Sequence, residues 1–276
     1  MRPKLGILAG RGELPGQLVR SCRKEGRPFF VVAFRGETDP ATLDDAPHAW
    51  VEVSAVGRVL ALLREAGCQE LCLIGPVGRP DLSRLRPDRQ GIRLLPRIAA
   101  ALRRGDDALM AVLVRFLEEE GFRVVGAEMV ADQLAAPAGR IGRLSPSQRD
   151  RADIARAVEV VRALGRLDIG QAAVVREGRV LAVEAAEGTD ALLARLLPWR
   201  PASPSGVLVK LPKPQQERRA DLPTLGLPTV AGAIAAGLSG IACEAGGTLL
   251  TDRAALAAAA DQGGLFLYGL GAGDGL

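Results

Sequence analysis

The sequence predicts an α/β protein in two parts, a parallel-sheet domain followed by a mixed α/β domain. Three observations carry that expectation. Through the first half, apolar runs of strand length alternate with amphipathic stretches, the pattern of strands buried on both faces beneath helices. From Gln133 to Ser147 periodicity stops, and Pro137, Gly139, Gly142 and Pro146 cluster. Beyond it the pattern resumes, with two strand-like runs joined by Glu177-Gly178, a hairpin signal. We therefore expect a Rossmann-like domain at 1–133, a linker at 134–148 and a C-terminal mixed α/β domain at 149–276.

In order, Lys4–Ala9 is an apolar run stopped by Gly10, and Leu14–Glu25 is a helix with Leu14, Leu18 and Cys22 on one face. Phe29–Phe34 and Trp50–Val53 read as strands, Val56–Ala66 as an amphipathic helix and Leu71–Ile74 as a buried strand. Helices near Ile92–Arg104 and Asp107–Glu120 precede a strand near Arg123–Gly126. In the second half we expect a long helix Arg149–Leu164 and hairpin strands Ala172–Val175 and Val180–Glu184. Helices Thr189–Leu196, Val230–Leu238 and Arg253–Gln262 then alternate with strands Val207–Val209, Gly240–Cys243 and Leu265–Tyr268.

Composition excludes whole classes of function. With 48% hydrophobic and 25% charged residues the chain is globular. A net charge of +4, spread as +2 on each half, and only 3% aromatics speak against a nucleic-acid partner. The single histidine, His48, lies in a polar stretch between two strands, where a solvated loop residue is expected. One histidine cannot build a histidine-rich zinc centre, and its place does not suit a Ser-His-Asp triad. Metal chemistry here would rest on carboxylates and a hard cation such as Mg²⁺. Cys22, Cys68, Cys72 and Cys243 form no CxxC pair and read as core residues of a reduced, cytosolic protein. The apolar run after the N-terminus stops at Arg11, too soon for a secretory signal, and Val230–Cys243 is too short to span a bilayer.

Four segments could carry chemistry. In Gly10-Arg11-Gly12-Glu13-Leu14-Pro15, glycines end a strand and a helix opens with proline, so a phosphate could approach the backbone near Gly12 and Leu14. The third glycine of the dinucleotide fingerprint is missing, and a plain tight turn has the same glycines. In Gly75-Pro76-Val77-Gly78-Arg79-Pro80, Gly75 again follows a strand and Arg79 could hold a phosphate. From Arg79 to Arg104 eight basic residues meet two acidic ones, with Arg93, Arg97 and Arg104 near one helical face. That face is either simply solvated or suited to anionic lipid. The third segment pairs Asp168-Ile169-Gly170-Gln171 with Glu184 and Glu187-Gly188-Thr189-Asp190. There Gln171 and Thr189 are candidate substrate-binding residues, although Thr189 can be only an N-cap and Asp190 only a partner of the helix dipole. The fourth, from Lys210 to Gly226, puts Lys210, Lys213, Gln216, Glu217, Arg218, Arg219, Asp221 and Thr224 among prolines. Cations beside acids in a restricted loop suit a phosphate with Mg²⁺, with Lys210, Lys213, Gln216 and Thr224 as candidate substrate-binding residues.

Taken in order, these motifs resemble the LpxI family, the UDP-2,3-diacylglucosamine pyrophosphatases of lipid A biosynthesis. The resemblance runs over essentially the whole chain and includes Gly105-Asp106-Asp107 and Gln216–Gly226. It implies two α/β domains holding the lipid substrate between them, and a homodimer through the second domains. It also implies Mg²⁺- or Mn²⁺-assisted hydrolysis to UMP and 2,3-diacylglucosamine 1-phosphate. The family's metal-associated aspartate corresponds to Asp221. Glu187 and Asp190 are its candidate catalytic partners. Arg11, Pro76 and Glu217 depart from the family pattern, the last keeping the charge but moving it by one methylene. A cytoplasmic enzyme touching the inner membrane transiently follows from the amphiphilic substrate. The rival readings are a nucleotide-cofactor oxidoreductase and a non-catalytic binder of a nucleotide sugar or phospholipid.

Overall fold

The computed structural model describes residues 2–43, 45–78, 87–103 and 105–274. The chain forms two compact units, Met1–Asp132 with Glu217–Asp221, and Gln133–Gln216 with Leu222–Leu276. The short Glu217–Asp221 segment thus leaves the second unit for the first, which no sequence period announces. The stretch expected as a linker, 134–148, contributes a strand to the second unit's sheet.

The first unit is built on strands β1 (Leu5–Ala9), β2 (Phe29–Phe34), β3 (His48–Val51), β4 (Glu70–Ile74) and β5 (Arg123–Val124). All pair in parallel in the order β3-β2-β1-β4-β5. Every residue of β1 is buried, so helices cover both faces. Helices α1 (Leu14–Lys24), α2 (Val56–Glu65), α3 (Arg89–Leu102), α4 (Asp106–Glu119) and α5 (Ala127–Val130) supply the cover. Leu8, Val32 and Leu71 meet Leu60, Leu63, Leu94 and Leu117 in one core. Ala220 packs against the same core, which anchors the returning segment.

His48 is the first residue of β3 and pairs with Val31, rather than sitting in a loop. It is exposed, and its Nδ1 lies 2.8 Å from the Ala46 carbonyl oxygen. All four cysteines are free and buried. Burial pushes the Cys22 thiol up to about 11 and Cys243 up to about 12, far from a reactive thiolate.

The second unit carries β6 (Gly139–Arg140), α6 (Gln148–Arg166), β7 (Ala172–Arg176), β8 (Arg179–Val183), α7 (Thr189–Ala194) and β9 (Val207–Lys210). It continues with β10 (Thr224–Leu225), α8 (Leu227–Ala235), β11 (Gly240–Glu244), β12 (Leu249–Leu250), α9 (Arg253–Gln262) and β13 (Phe266–Leu270). Its main sheet runs β6-β13-β11-β9-β7-β8, with β13, β11 and β9 parallel and the others antiparallel. Side chains of β9 alternate, Leu208 into one core and Val207 and Val209 into the other. The hairpin β7–β8 turns at Glu177 (φ 51°) and Gly178 (φ 74°), the paired positive angles of a type I′ turn. The Asp153 carboxylate accepts from both turn amides, at 3.0 and 2.7 Å. Helix α6 starts with a Ser147/Asp150 capping box.

Candidate functional site

In the first unit the strand order reverses between β1 and β4, where parallel sheets receive ligands at their carboxyl edge. The loops after these strands interlock. Gly10 N donates to the Ile74 carbonyl (2.8 Å) and Arg11 N to that of Pro76 (2.9 Å). A Cβ on Gly10 would lie 2.3 Å from the Gly75 carbonyl oxygen, and one on Gly75 would lie 2.5 Å from that of Arg11. Gly75 also has φ 85° and Gly12 φ 83°, both left-handed. Helix α1 starts here with Pro15 in its first turn and no side-chain cap. The Leu14 side chain is buried, so Leu14 can meet a ligand only through its backbone. Arg79 lies outside the described residues.

The sequence did not single out Glu37, which follows β2 by three residues. Its carboxylate accepts from Arg11 Nε (2.7 Å) and from Gly78 N (2.8 Å), tying three loops together. Burial pushes the Glu37 carboxyl up, but these hydrogen bonds outweigh it and hold the group below the usual range. Dinucleotide folds offer an acid after β2 to a ribose. Here that acid is engaged internally, which weighs against the oxidoreductase reading.

The returning segment brings Glu217 and Arg219 together as a two-pronged pair, Nε and Nη2 each 2.8 Å from a carboxylate oxygen. Arg219 Nη1 also reaches Glu118 at 2.6 Å. Hydrogen bonds from Arg219 hold the Glu217 carboxyl below its ordinary range. Glu217 therefore spends its oxygens on Arg219. Asp221 closes the segment, its amide donating to the Glu217 carbonyl at 3.0 Å, and is partly exposed. Glu128 in α5 was also missed: burial pushes its carboxyl up, Arg218 pulls it down, and Oε2 is buried without a hydrogen-bond partner.

A cleft of about 620 Å³ lined by Arg2, Glu25, Arg27 and Pro28 opens near the starts of β1 and β2. Its charges pair with acids, Arg2 with Glu25 and Arg27 with Glu70. It lies away from the carboxyl edge, where the glycine loops are.

In the second unit the centre is Lys210, the last residue of β9 and nearly buried. Its Nζ donates to Thr189 Oγ1 (2.9 Å) and to the Thr224 carbonyl (3.0 Å). Thr189 Oγ1 in turn donates to Glu184 Oε2 at 2.8 Å. Thr189 is therefore not the N-cap of α7; Gly188 holds that place. Nearby, Ala172 pairs with Lys210, and Leu211 N donates to the Gln171 carbonyl. The Gln171 side-chain oxygen is buried without a partner. Lys213 Nζ meets Asp168 at 2.5 Å, and its amide donates to Gln216 Oε1 at 2.9 Å. Gly170 allows this packing, since a Cβ there would lie 2.1 Å from the Glu184 carbonyl oxygen.

The second unit thus gathers Asp168, Gln171, Thr189, Lys210, Lys213, Gln216 and Thr224 with Glu184; no specific role for Asp168 or Glu184 was legible in the sequence. Glu187 turns elsewhere, pairing with Arg195 at 2.7 Å. Asp190 Oδ1 accepts from Thr229 at 3.0 Å and ties α7 to α8. Among the described residues no three His, Cys, Asp or Glu side chains cluster to hold a metal. Among them also, no helix is long and apolar enough to cross a membrane.

Comparison with known proteins decides the relationship. Residues 4–134 match the family model of the LpxI N-terminal domain, and residues 137–268 that of the LpxI C-terminal domain. The chain belongs to the LpxI family. It is 48% identical over 273 residues to the Caulobacter vibrioides protein named UDP-2,3-diacylglucosamine pyrophosphatase LpxI, covering 97% of each chain. Among solved structures it resembles the biotin carboxylase domain of Hydrogenobacter thermophilus 2-oxoglutarate carboxylase, at 13% identity and a TM-score of 0.27. That match spans 65% of this chain and 38% of the other. The biotin carboxylase subunit of a pyruvate carboxylase matches at 14% identity and TM-score 0.27, over 63% of this chain and 35% of the other.

Proposed function

We propose that the chain hydrolyses the pyrophosphate of UDP-2,3-diacylglucosamine, giving UMP and 2,3-diacylglucosamine 1-phosphate. The observation that carries this reading is the 48% identity, over 97% of both chains, to a protein named for that substrate. The chemistry asks the protein to neutralise two phosphates, place a water against one phosphorus and take up its proton as the anhydride bond breaks. With one histidine, exposed at the start of β3, the proton acceptor in this reading is a carboxylate.

Asp221 is a carboxylate, a hard oxygen donor. That donor set fits Mg²⁺ or Mn²⁺ held jointly by Asp221, water and the substrate's own phosphate oxygens. When bound, such an ion supplies charge neutralisation and a more acidic water. In this reading Lys210, Lys213 and Arg79 contact phosphate oxygens. Gly12, Gly75 and the Leu14 backbone allow close approach of the ligand to the main chain. The unpartnered Gln171 oxygen accepts from a sugar hydroxyl, and Thr189, Gln216 and Thr224 hold the lysines in place. Glu187 and Asp190 pair with Arg195 and Thr229; in this reading Asp221, the position that matches the family's metal-associated aspartate, is the principal catalytic residue.

The test is UMP release from UDP-2,3-diacylglucosamine with Mg²⁺ and with EDTA. Asp221→Ala should fold normally and lose about a thousandfold in turnover, the loss expected when several kcal/mol of charge stabilisation go. An active, well-folded Asp221→Ala protein, or UMP release indifferent to EDTA, overturns the assignment. Tight substrate binding without UMP release would favour the non-catalytic binder.

The same reading makes the protein a homodimer acting at a membrane surface. Exposed Val180, Leu197 and Trp199 (69% exposed) beside edge strand β8 support self-association through the second unit. Sedimentation of wild type and Trp199→Glu checks this; a monomeric wild type would exclude it.

A further inference from the structure

We propose that the outer face of α3 is a docking surface for a bilayer containing anionic phospholipid. The proposal deepens the activity above and rests on it for its purpose, since a diacylated substrate resides in a membrane.

The face is defined by burial. Leu94 and Ala101 of α3 are buried and Ile98 packs against the first unit's core. Arg89, Ile92, Arg93, Pro96, Ala100 and Arg103 are exposed. At 3.6 residues per turn these six fall within an arc of roughly 100°. The sequence reading centred the basic face on Arg93, Arg97 and Arg104. The structure moves it: Arg97 lies on the flank and is held by Glu119 at 2.7 and 3.1 Å, while Arg104 lies outside the described residues.

No acidic residue occurs from Arg89 to Arg103. Other arginines of this unit find carboxylates, Arg11 with Glu37, Arg64 with Glu120 and Arg219 with Glu118. Arg89, Arg93 and Arg103 make no ion pair among the described residues. Between them lie Ile92, 57% exposed, and the apolar Pro96 and Ala100. Cations flanking a shallow apolar stripe match an anionic interface, with the arginines at headgroup level and Ile92 below. The absence of an aromatic on this arc disfavours a single-stranded nucleic acid.

The helix is also placed for substrate delivery. The Asp88 carboxylate accepts from Gly91 N in α3 (2.9 Å) and from Arg58 N in α2 (3.2 Å). Helix α2 begins just after the carboxyl end of β3. One side chain therefore fixes the first turn of α3 at the carboxyl edge of the sheet, the edge that carries the Gly10–Gly12 and Gly75 loops. Val77, 40% exposed, follows β4 at the same edge.

The full chain is sedimented with vesicles of phosphatidylcholine alone and of phosphatidylcholine with about one-third phosphatidylglycerol, at low and high salt. Wild type should bind the anionic vesicles only. Arg89→Glu/Arg93→Glu should lower partitioning by about tenfold or more, given the contribution of each surface arginine. Ile92→Asp should lower it by about fivefold, through lost apolar contact and added negative charge. Arg20→Glu/Lys24→Glu, a charge-matched pair on the exposed side of α1, should stay within about twofold of wild type if the effect is local. These positions are all exposed, and circular dichroism checks folding. No binding by wild type, equal binding to both vesicles, an unaffected α3 reversal or an equal loss in the α1 control each overturns the proposal. UMP release from detergent-dispersed substrate is read in parallel. Loss of that activity reading leaves vesicle binding standing, and the reverse holds, so the two failures are distinguishable.

Discussion

The carboxyl edge of the first sheet and the end of β9 in the second are held together by two different means. The first is main chain. Gly10 and Gly75 approach so closely that neither tolerates a Cβ, and Glu37 ties the loops with Arg11 and Gly78. The second is side chain. Lys210, Thr189 and Glu184 form a buried line of hydrogen bonds, with Lys213 and Asp168 nearby. The difference teaches where function and stability separate. A backbone-built edge fails by steric clash, whereas a buried polar line fails through groups left without partners.

The steepest test of this contrast is Gly10→Ala. Its Cβ would meet a carbonyl at 2.3 Å, while Gly12→Ala would meet no atom within 4 Å and carry only its positive φ. We expect about 3 kcal/mol lost for the first and about 1 kcal/mol for the second, read from urea unfolding. Equal losses would break the claim that the interlock is steric. Next comes Lys210→Met, which keeps the bulk of the side chain but leaves Thr189 Oγ1 and the Thr224 carbonyl short of a donor. It should cost about 2 kcal/mol, with Thr189→Val/Lys210→Met costing less than the two single changes summed. Strict additivity would show that the residues do not act as one line.

The smallest effect is pH-dependent. Arg219 holds the folded Glu217 carboxyl below its unfolded value. A depressed carboxylate stabilises the fold above the unfolded pKa, near about 4.3. That contribution is lost as pH falls through the folded value. Glu217→Gln should therefore be less stable than wild type at pH 7 by about 1 kcal/mol, the scale of a partly exposed ion pair. The gap should close under acid, and a gap unchanged at low pH would remove Glu217 from the argument.

Much of the framework was legible. Phe29–Phe34 and Arg253–Gln262 have the bounds their periodicity announced, and the Glu177-Gly178 turn closes the hairpin as its residue types require. Long elements signal themselves because each repeats its pattern over several residues. Three of the two-residue strands, β6, β10 and β12, do not, since two residues have no period and these, unlike β5, lie in no longer strand-like run. In the site, Lys210 and Thr189 were visible as polar residues beside a strand or a helix start. Glu37 was not, because its role depends on Arg11 and Gly78, distant in sequence.

Residue order alone carries the α/β class, the two-part organisation and the exclusion of histidine-based chemistry, since periodicity and composition are local properties that need no neighbours to be read. Folding settles the pairings: Thr189 serves Lys210 and Glu184 instead of a helix end, Glu187 is taken by Arg195, and Glu217 by Arg219. It also turns Arg97 to Glu119 and leaves Arg89 and Arg93 in solvent. A carboxylate or a guanidinium has the same chemistry wherever it occurs, and which partner it meets depends on contacts that cross the sequence, which only the packed chain brings within hydrogen-bonding distance.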